Sequence, residues 1–297
     1  MMSLHEAIRA VATDRAQRPI RCELQVDAVT EISPSFRRIT LRGAGLAAYT
    51  DPLPADAFRL FPSVPAARDG AARDGAATAG APGAGVAPSR AFTVRTFDPA
   101  AERLAFDAFA HGAGLVDRWL RGLGPGTGVG ITGMRVEFVL APVAAAAAAT
   151  DPLLLVADGS GLPAAAAILA ALPAGRPALA VLGGVATADR VLVPARPGHR
   201  IRWVRRHALP EAVRTLPRLG GAAVAWVAAE AAQVRIIRRH LVELHGVPRS
   251  QVRTSAYWKA GFTMDDLDAA AVPRQAEAVA EGWDERDPEG LAEIVIG

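Results

Sequence analysis

The chain is poor in cysteine, lysine and aromatic residues, and each shortage excludes something. Cys22 is its only cysteine, so it can hold no internal disulfide, no all-cysteine iron–sulfur cluster and no four-cysteine zinc site. That thiol reads as buried and inert. Of 33 Lys plus Arg residues only Lys259 is a lysine, and the net charge is only +3. The arginines are spread along the chain and do not interleave with aromatics as a base-stacking surface would, so they are no nucleic-acid footprint. No stretch of about 18 apolar residues runs without an Asp, Gly or Pro. The amino-terminal MMSLHEAIRAVATDRAQRP lacks the apolar core of a signal peptide. A soluble, cytoplasmic protein with no membrane and no nucleic-acid partner is expected, and nothing in the sequence sets its oligomeric state.

What is present is ample apolar material. Hydrophobic residues make up 51% of 297, enough for two domains at roughly 100–200 residues each. A short helix is predicted over 4–16. Strands follow at 21–29, 37–41 and 58–61, then at 91–97, 104–109 and 129–140, with a short helix over 115–121. Many strands, turns and one short helix predict a small antiparallel barrel, assigned to residues 18–143. Between its strands, residues 63–89 carry a low-complexity AARDGA repeat. They cannot bury enough apolar surface to offset chain ordering and read as a disordered surface loop.

The pattern changes after the alanine run at 144–149, read as a linker. Apolar strands at 153–157, 178–182, 201–204 and 223–228 alternate with helices over 163–172, 209–216 and 231–246. Apolar strands alternating with helices predict a parallel sheet covered on both faces, assigned to residues 150–262. Residues 263–297 are acidic and Ala-rich and read as a helical tail.

Several segments carry chemistry. In Arg90-Ala-Phe-Thr-Val-Arg95 an arginine offers a planar fork to a phosphate, a threonine can hydrogen-bond a ring, and an aromatic can stack. His111-Gly-Ala-Gly114 precedes a helix containing Arg118-Trp119, and glycines ahead of a helix let amides approach a diphosphate. Asp158-Gly-Ser-Gly-Leu-Pro-Ala164 sits between an apolar strand and a helix and fits G-x-G-x-x-A, with Pro163 in the first helical turn. Gly128, Gly130 and Gly133 also fit a glycine fingerprint, but no helix follows. The acidic residue that would hold an NAD ribose is missing; Gly183-Gly184 stands there, which leans toward NADPH or weak selectivity. Trp226-Val-Ala-Ala-Glu230 and Tyr257-Trp258-Lys259-Ala-Gly261 put aromatics near the sheet's carboxyl edge, as core or as cofactor cover. A hydrolase is disfavoured, since Asp158 stands where a G-x-S-x-G elbow needs glycine. His240 and His245 are off the usual helical ligand spacing and are expected to face solvent.

Taken in order, these segments resemble the siderophore-interacting protein family from Val29 to Gly261. ISPSFRRITLRGAGL and DAFRLFP look like its opening strands. RAFTVR resembles R-x-Y-T-V-R, and HGAGLVDRW resembles H-G-x-x-G-P-A-x-x-W, one residue shorter. VADGSGLPA, WVAAEA and YWKAG resemble G-D-E-T-A-L-P-A, W-V-A-G-E-A and G-Y-W-[RK]-x-G. The resemblance implies a flavin-binding barrel followed by a nucleotide-binding α/β domain, as in ferredoxin reductases. It implies FAD and NADPH or NADH as cofactors and a ferric siderophore as substrate, reduced to release Fe(II). It places Arg90, Phe92 and Thr93 at the flavin, and His111, Gly112, Gly114 and Trp119 near its phosphates. Asp158, Ser160 and Pro163 would line the nicotinamide side, Glu230 and Trp258 would flank the cofactors, and Lys259 would guide an anionic siderophore.

The departures cluster at cofactor positions. Phe92 replaces the motif tyrosine, Gly159 a glutamate, Ala229 and Ala256 glycines, and MRVEF follows Gly133 without the usual Pro–Gly loop. Two rival readings follow: an electron-transfer enzyme with a protein acceptor, and a degenerate relative that binds a ligand without flavin.

Overall fold

The computed structural model describes residues 2–62, 89–110, 112, 114–140, 153–194 and 196–262. The linker at 144–149, the tail at 263–297 and all but Ser89 of the low-complexity segment lie outside the described residues. Helix α1 (Leu4–Ala16) opens with a capping box. Ser3 accepts from the Glu6 amide at 3.3 Å, and Glu6 accepts from the Ser3 amide at 2.7 Å, which satisfies two of the helix's free amides.

Six strands follow: β1 (Arg21–Ser33), β2 (Phe36–Arg42), β3 (Ala57–Pro62), β4 (Arg90–Asp98), β5 (Arg103–Phe109) and β6 (Gly128–Arg135). They close an antiparallel barrel in the order β1-β2-β5-β4-β3-β6. Closure removes both sheet edges. Alternate residues fill the barrel: Leu24 and Val26, Ile39 and Leu41, Phe58 and Leu60, Val129 and Ile131 are all buried in one cluster. Helix α2 (Gly114–Arg121) bridges β5 and β6 and adds Trp119 and Leu120 to that cluster. Cys22 is half-buried on β1, and burial pushes its thiol up.

The predicted strand over 129–140 stops early. It ends after Arg135, just past a bulge at Gly133 (φ 90°) and Met134 (φ 152°), where the pairing with β3 slips by one residue. Val136, Phe138 and Val139 then run buried beside α1 and the second domain's sheet. Their apolar character comes from this wedge between layers.

The second sheet is parallel, with strands β7 (Leu153–Ala157), β8 (Ala178–Gly183), β9 (His199–Val204), β10 (Val224–Glu230) and β11 (Val252–Trp258) in the order β11-β10-β7-β8-β9. Helices α3 (Leu162–Ala171), α4 (Leu209–Arg214) and α5 (Ala231–Arg239) cover it. Leu153, Leu155 and Ala157 pack with α3, while Leu154 and Val156 pack with α4 and α5. Both faces are covered, which is why β7 has no polar residue. Helix α3 also packs against β4 of the barrel, and its first eight residues, Leu162 to Leu169, are all buried.

Three expectations need correction. Strand β11 was not anticipated, because its residues VRTSAYW put three polar residues in a row, neither alternating cleanly nor forming an apolar run. It pairs with β10, and α1 secures its start: Gln251 accepts from the Leu4 amide at 3.1 Å, and His5 Nε2 contacts the Val252 carbonyl at 2.9 Å. The helix predicted over 231–246 keeps α geometry only to Arg239 and ends in a π-helical turn, His240–Leu244. His245, expected at the surface, is therefore turned inward and is 2% exposed, and His240 is half-buried against the Pro210 carbonyl at 3.2 Å. Among the described residues no helix is long and apolar enough to cross a membrane.

Candidate functional site

Two groups of residues singled out by the sequence meet where the barrel faces the sheet. The first is on β4, where Phe92 and Thr93 point to opposite sides, as successive strand residues must. Phe92 packs on Phe106 with centroids 4.7 Å apart, and on Phe58 and Trp119 at 6.4 and 6.5 Å. Thr93 is buried at 7% exposure and is the side-chain neighbour of Tyr257 on β11. Arg90 donates to the Ser89 carbonyl at 2.7 Å.

Trp119 is 2% exposed and stacks on Phe106, 10° from parallel. Its Nε1 has no hydrogen-bond partner among the described residues. His111 lies outside the described residues. Gly112 holds φ 89°, which favours glycine. Its amide is already committed, since it donates to Asp117 Oδ1 at 2.9 Å. A carboxylate thus occupies one of the donors that the sequence assigned to a diphosphate.

The second group is at the carboxyl ends of β7, β10 and β11. Asp158 is 2% exposed. Its Oδ1 accepts from the amide and hydroxyl of Ser160 at 2.9 and 2.5 Å, and its Oδ2 from the indole of Trp258 at 2.7 Å. Gly161 is required by close approach: a Cβ there would lie 2.6 Å from the Ala228 carbonyl oxygen. Pro163 sits in the first turn of α3 and is buried. Glu230 caps α5 by accepting from the Gln233 amide at 3.1 Å, and it accepts from the Ala260 amide at 3.3 Å. Lys259 follows β11 with its Nζ 4.9 Å from the Phe262 ring centre. Gly159 lies against the barrel, with its Cβ position 3.5 Å from Phe109 Cζ.

The sequence reading missed a polar cluster at this junction. Glu137 is fully buried. Its Oε2 accepts from Ser255 at 2.9 Å and its Oε1 pairs with Arg135. Glu137 holds the Arg135 guanidinium above its ordinary range, and burial followed by Glu137 pushes the Tyr257 phenol far up. Tyr257 is therefore a neutral hydroxyl at any ordinary pH. The only signal was MRVEF, a glutamate inside an apolar run.

Two family models cover most of the chain. Residues 25–138 match the siderophore-interacting FAD-binding domain, and residues 150–261 match the siderophore-interacting protein model. The chain belongs to the siderophore-interacting protein family. A siderophore-interacting protein from Acinetobacter baumannii superposes with a TM-score of 0.71 at 21% identity, over 88% of this chain and 99% of that one. A siderophore utilization protein from T. fusca gives 0.69 at 26% identity, over 83% and 95%. The ferredoxin reductase of carbazole 1,9a-dioxygenase has the same fold at 16% identity, TM-score 0.59, over 80% and 70%. Among curated proteins, the mycobactin import ATP-binding/permease protein IrtA of Mycobacterium tuberculosis is 30% identical over 182 residues, 59% of this chain. The match spans only about a fifth of that relative's length.

Against that family, the residues present fit a flavin on the ring side. Half-buried Phe92 and the Trp119 indole N–H, which has no partner among the described residues, lie on one side of β4, and buried Thr93 lies on the other, toward Tyr257. They fit its diphosphate less fully, because Asp117 holds the Gly112 amide. In this siderophore-interacting protein Asp158, Glu230 and Trp258 act first as braces of the sheet edge.

Proposed function

We propose that this chain is an NAD(P)H-dependent, FAD-containing reductase that removes iron from ferric siderophores as Fe(II), in the cytoplasm. The observation that carries this reading is the closed barrel meeting the first βα unit of a parallel sheet: β4, which carries Phe92 and Thr93, packs on α3, and Phe109 lies against Gly159 in the Asp158-Gly-Ser-Gly161 turn. Phe92 and Thr93 would hold the ring system, Arg90 and the Gly112–Gly114 segment its phosphates, and the 158–161 turn the nicotinamide nucleotide. When bound, the flavin accepts a hydride and delivers single electrons, which NAD(P)H and iron cannot exchange directly. The protein's share is positioning: Trp258 and Ser160 fix Asp158, and Glu230 fixes the backbone after β11. Reduced iron is a poorer match for hard oxygen donors, so the siderophore releases it. Lys259 would attract an anionic chelate.

A second reading has its own observation. Asp117 on the Gly112 amide and the missing hydroxyl at Phe92 both favour a relative that binds a ligand without flavin. The visible spectrum of the purified protein, before and after addition of FAD, separates the two. Flavin bands that bleach with NAD(P)H and return with a ferric siderophore support the reductase. A spectrum that stays featureless after FAD is added rejects it in favour of the second reading. Bands that bleach and return only with a small iron–sulfur protein would move the acceptor from a chelate to a protein.

A further inference from the structure

We propose that Ser33 and Arg95 of the barrel are positioning residues for the nucleotide site of the second domain. They hold the turn Thr187–Leu192, and through it one wall of the Asp158–Gly161 turn, so that nucleotide affinity depends on the barrel. This rests on the nucleotide-binding reading above and adds the residues that couple the two domains.

The turn Thr187–Leu192 follows β8. The segment leading into it, Gly184-Val185, lies beside the first βα turn: a Cβ at Gly159 would be 3.5 Å from the Gly184 carbonyl oxygen and 3.6 Å from Val185 Cγ1. Whatever fixes residues 184–192 therefore fixes a wall of the place where a nucleotide would lie. Of the sheet, Gly183 on β8 and His199 on β9 border this connection, and neither is close in sequence to the middle of the turn.

The barrel grips the turn at two points. Ser33 closes β1 where the chain turns into β2 and donates to Asp189 Oδ1 at 2.6 Å. Asp189 Oδ2 accepts from the Ala186 amide at 2.9 Å. One carboxylate thus sets both the shape of the turn and its seat on the barrel. Ser33 and Asp189 are 6% and 1% exposed, and among the described residues no cation forms an ion pair with Asp189. A buried carboxylate is a costly way to fill an interface that apolar groups could fill. What it adds is direction, because hydrogen bonds weaken steeply off axis.

The second grip is at the other end of the turn. Arg95 on β4 donates to the Leu192 carbonyl at 3.3 Å. The nearby Asp107 is bound by Arg38 at 2.7 and 3.0 Å and lies 3.9 Å from Arg95 Nε, so it steadies Arg95 by charge while Arg38 takes its hydrogen bonds. Arg95 stands two residues after Thr93, and one strand therefore carries both the candidate flavin contact and a grip on the turn. Leu192 itself is buried in one cluster with Phe36 of β2, which backs the two polar contacts with apolar ones.

The test is calorimetric titration of the full chain with NADPH and with NADH, in the wild type and in Ser33→Ala, Ser33→Thr and Arg95→Met, at a temperature where circular dichroism shows each to be folded. Arg95→Met keeps most of the buried stem and leaves Asp107 with Arg38. Ser33→Ala and Arg95→Met should each weaken the nucleotide that the wild type binds best by about five- to tenfold, on the order of one hydrogen bond. Ser33→Thr keeps the hydroxyl and should bind within about twofold of the wild type. Hydrogen exchange of the nucleotide-free chain should quicken over residues 186–193 in both weakened variants and stay unchanged over β7. Unchanged affinity in Ser33→Ala and Arg95→Met, even with faster exchange, overturns the proposal, since the contacts would then be packing alone. If Ser33→Ala does not fold, Arg95→Met decides by the same measure. A wild type that binds neither nucleotide rejects the reductase reading and this proposal with it, whereas a wild type that binds and variants that match it reject this proposal alone.

Discussion

The indole of Trp258 donates to Asp158 Oδ2 at 2.7 Å, joining the end of the last strand of the sheet to the turn after its first. Asp158 is buried, so a carboxylate oxygen left without a donor there costs about 1–3 kcal/mol. Trp258→Phe keeps most of the ring and removes only the N–H. It should lower unfolding stability by about that amount, read as a shift in the urea midpoint at constant slope. A midpoint equal to wild type would show that the bond contributes nothing in solution.

Asp117 sets up the second prediction. Its carboxylate holds the Gly112 amide at 2.9 Å, and it places negative charge at the end of α2 where a flavin diphosphate would come. Asp117→Asn retains an oxygen acceptor and removes the charge. FAD should bind about five- to tenfold more tightly to the variant, and riboflavin, which has no phosphate, equally to both. The helix loses a favourable N-terminal charge, about 0.3–1 kcal/mol of stability. Flavin fluorescence titration reads the affinities, and a tightening shared by riboflavin would contradict the charge argument.

Much of this architecture was legible because burial was two-sided or strictly alternating. The LLLVA of β7 could only be a covered strand, and Ile39 and Leu41 announced one face of the barrel. The turn at Asp158 was legible as a strand-to-helix junction, but its bond to Trp258 was not, since the two are 100 residues apart. Glu137 was illegible for the same reason: its partner Ser255 lies 118 residues away. Strand β11 escaped because its polar residues face partners that only the fold supplies.

The Arg135–Glu137 pair should respond asymmetrically. The Glu137 side chain is fully buried, whereas that of Arg135 is 55% exposed. Arg135→Ala leaves a buried carboxylate with Ser255 as its remaining partner, and breaking a buried pair in this sense costs about 3–5 kcal/mol. Glu137→Gln leaves an arginine that reaches water and an amide that still accepts from Ser255, so about 1–2 kcal/mol is expected. Chemical unfolding of both variants checks the order. Equal losses, or a larger loss for Glu137→Gln, would mean that the carboxylate is reached by water.

The contact between α1 and β11 makes stability depend on pH. Burial holds the His5 imidazole below its ordinary 6.5, with Arg253, Arg238 and Arg9 adding to that effect and the Val252 carbonyl opposing it. The folded chain therefore binds fewer protons than the unfolded one between the two pKa values, and stability rises with pH there. The contribution is complete above about pH 6.5 and is lost as pH falls through the lowered folded value. His199, also lowered by burial and by Arg196, adds a parallel effect on β9. The acids whose values fall, Glu6 and Glu211, start from 4.5 and act at lower pH, while Asp56, raised from 3.8 by burial, acts in the opposite sense. His5→Gln keeps an N–H for the Val252 carbonyl and removes the titration. Thermal unfolding followed from pH 7.5 to 5.5 should show a falling midpoint in the wild type and a shallower fall in His5→Gln. If both proteins fall alike, His5 is solvated in the folded state and α1 is not seated on β11 as described.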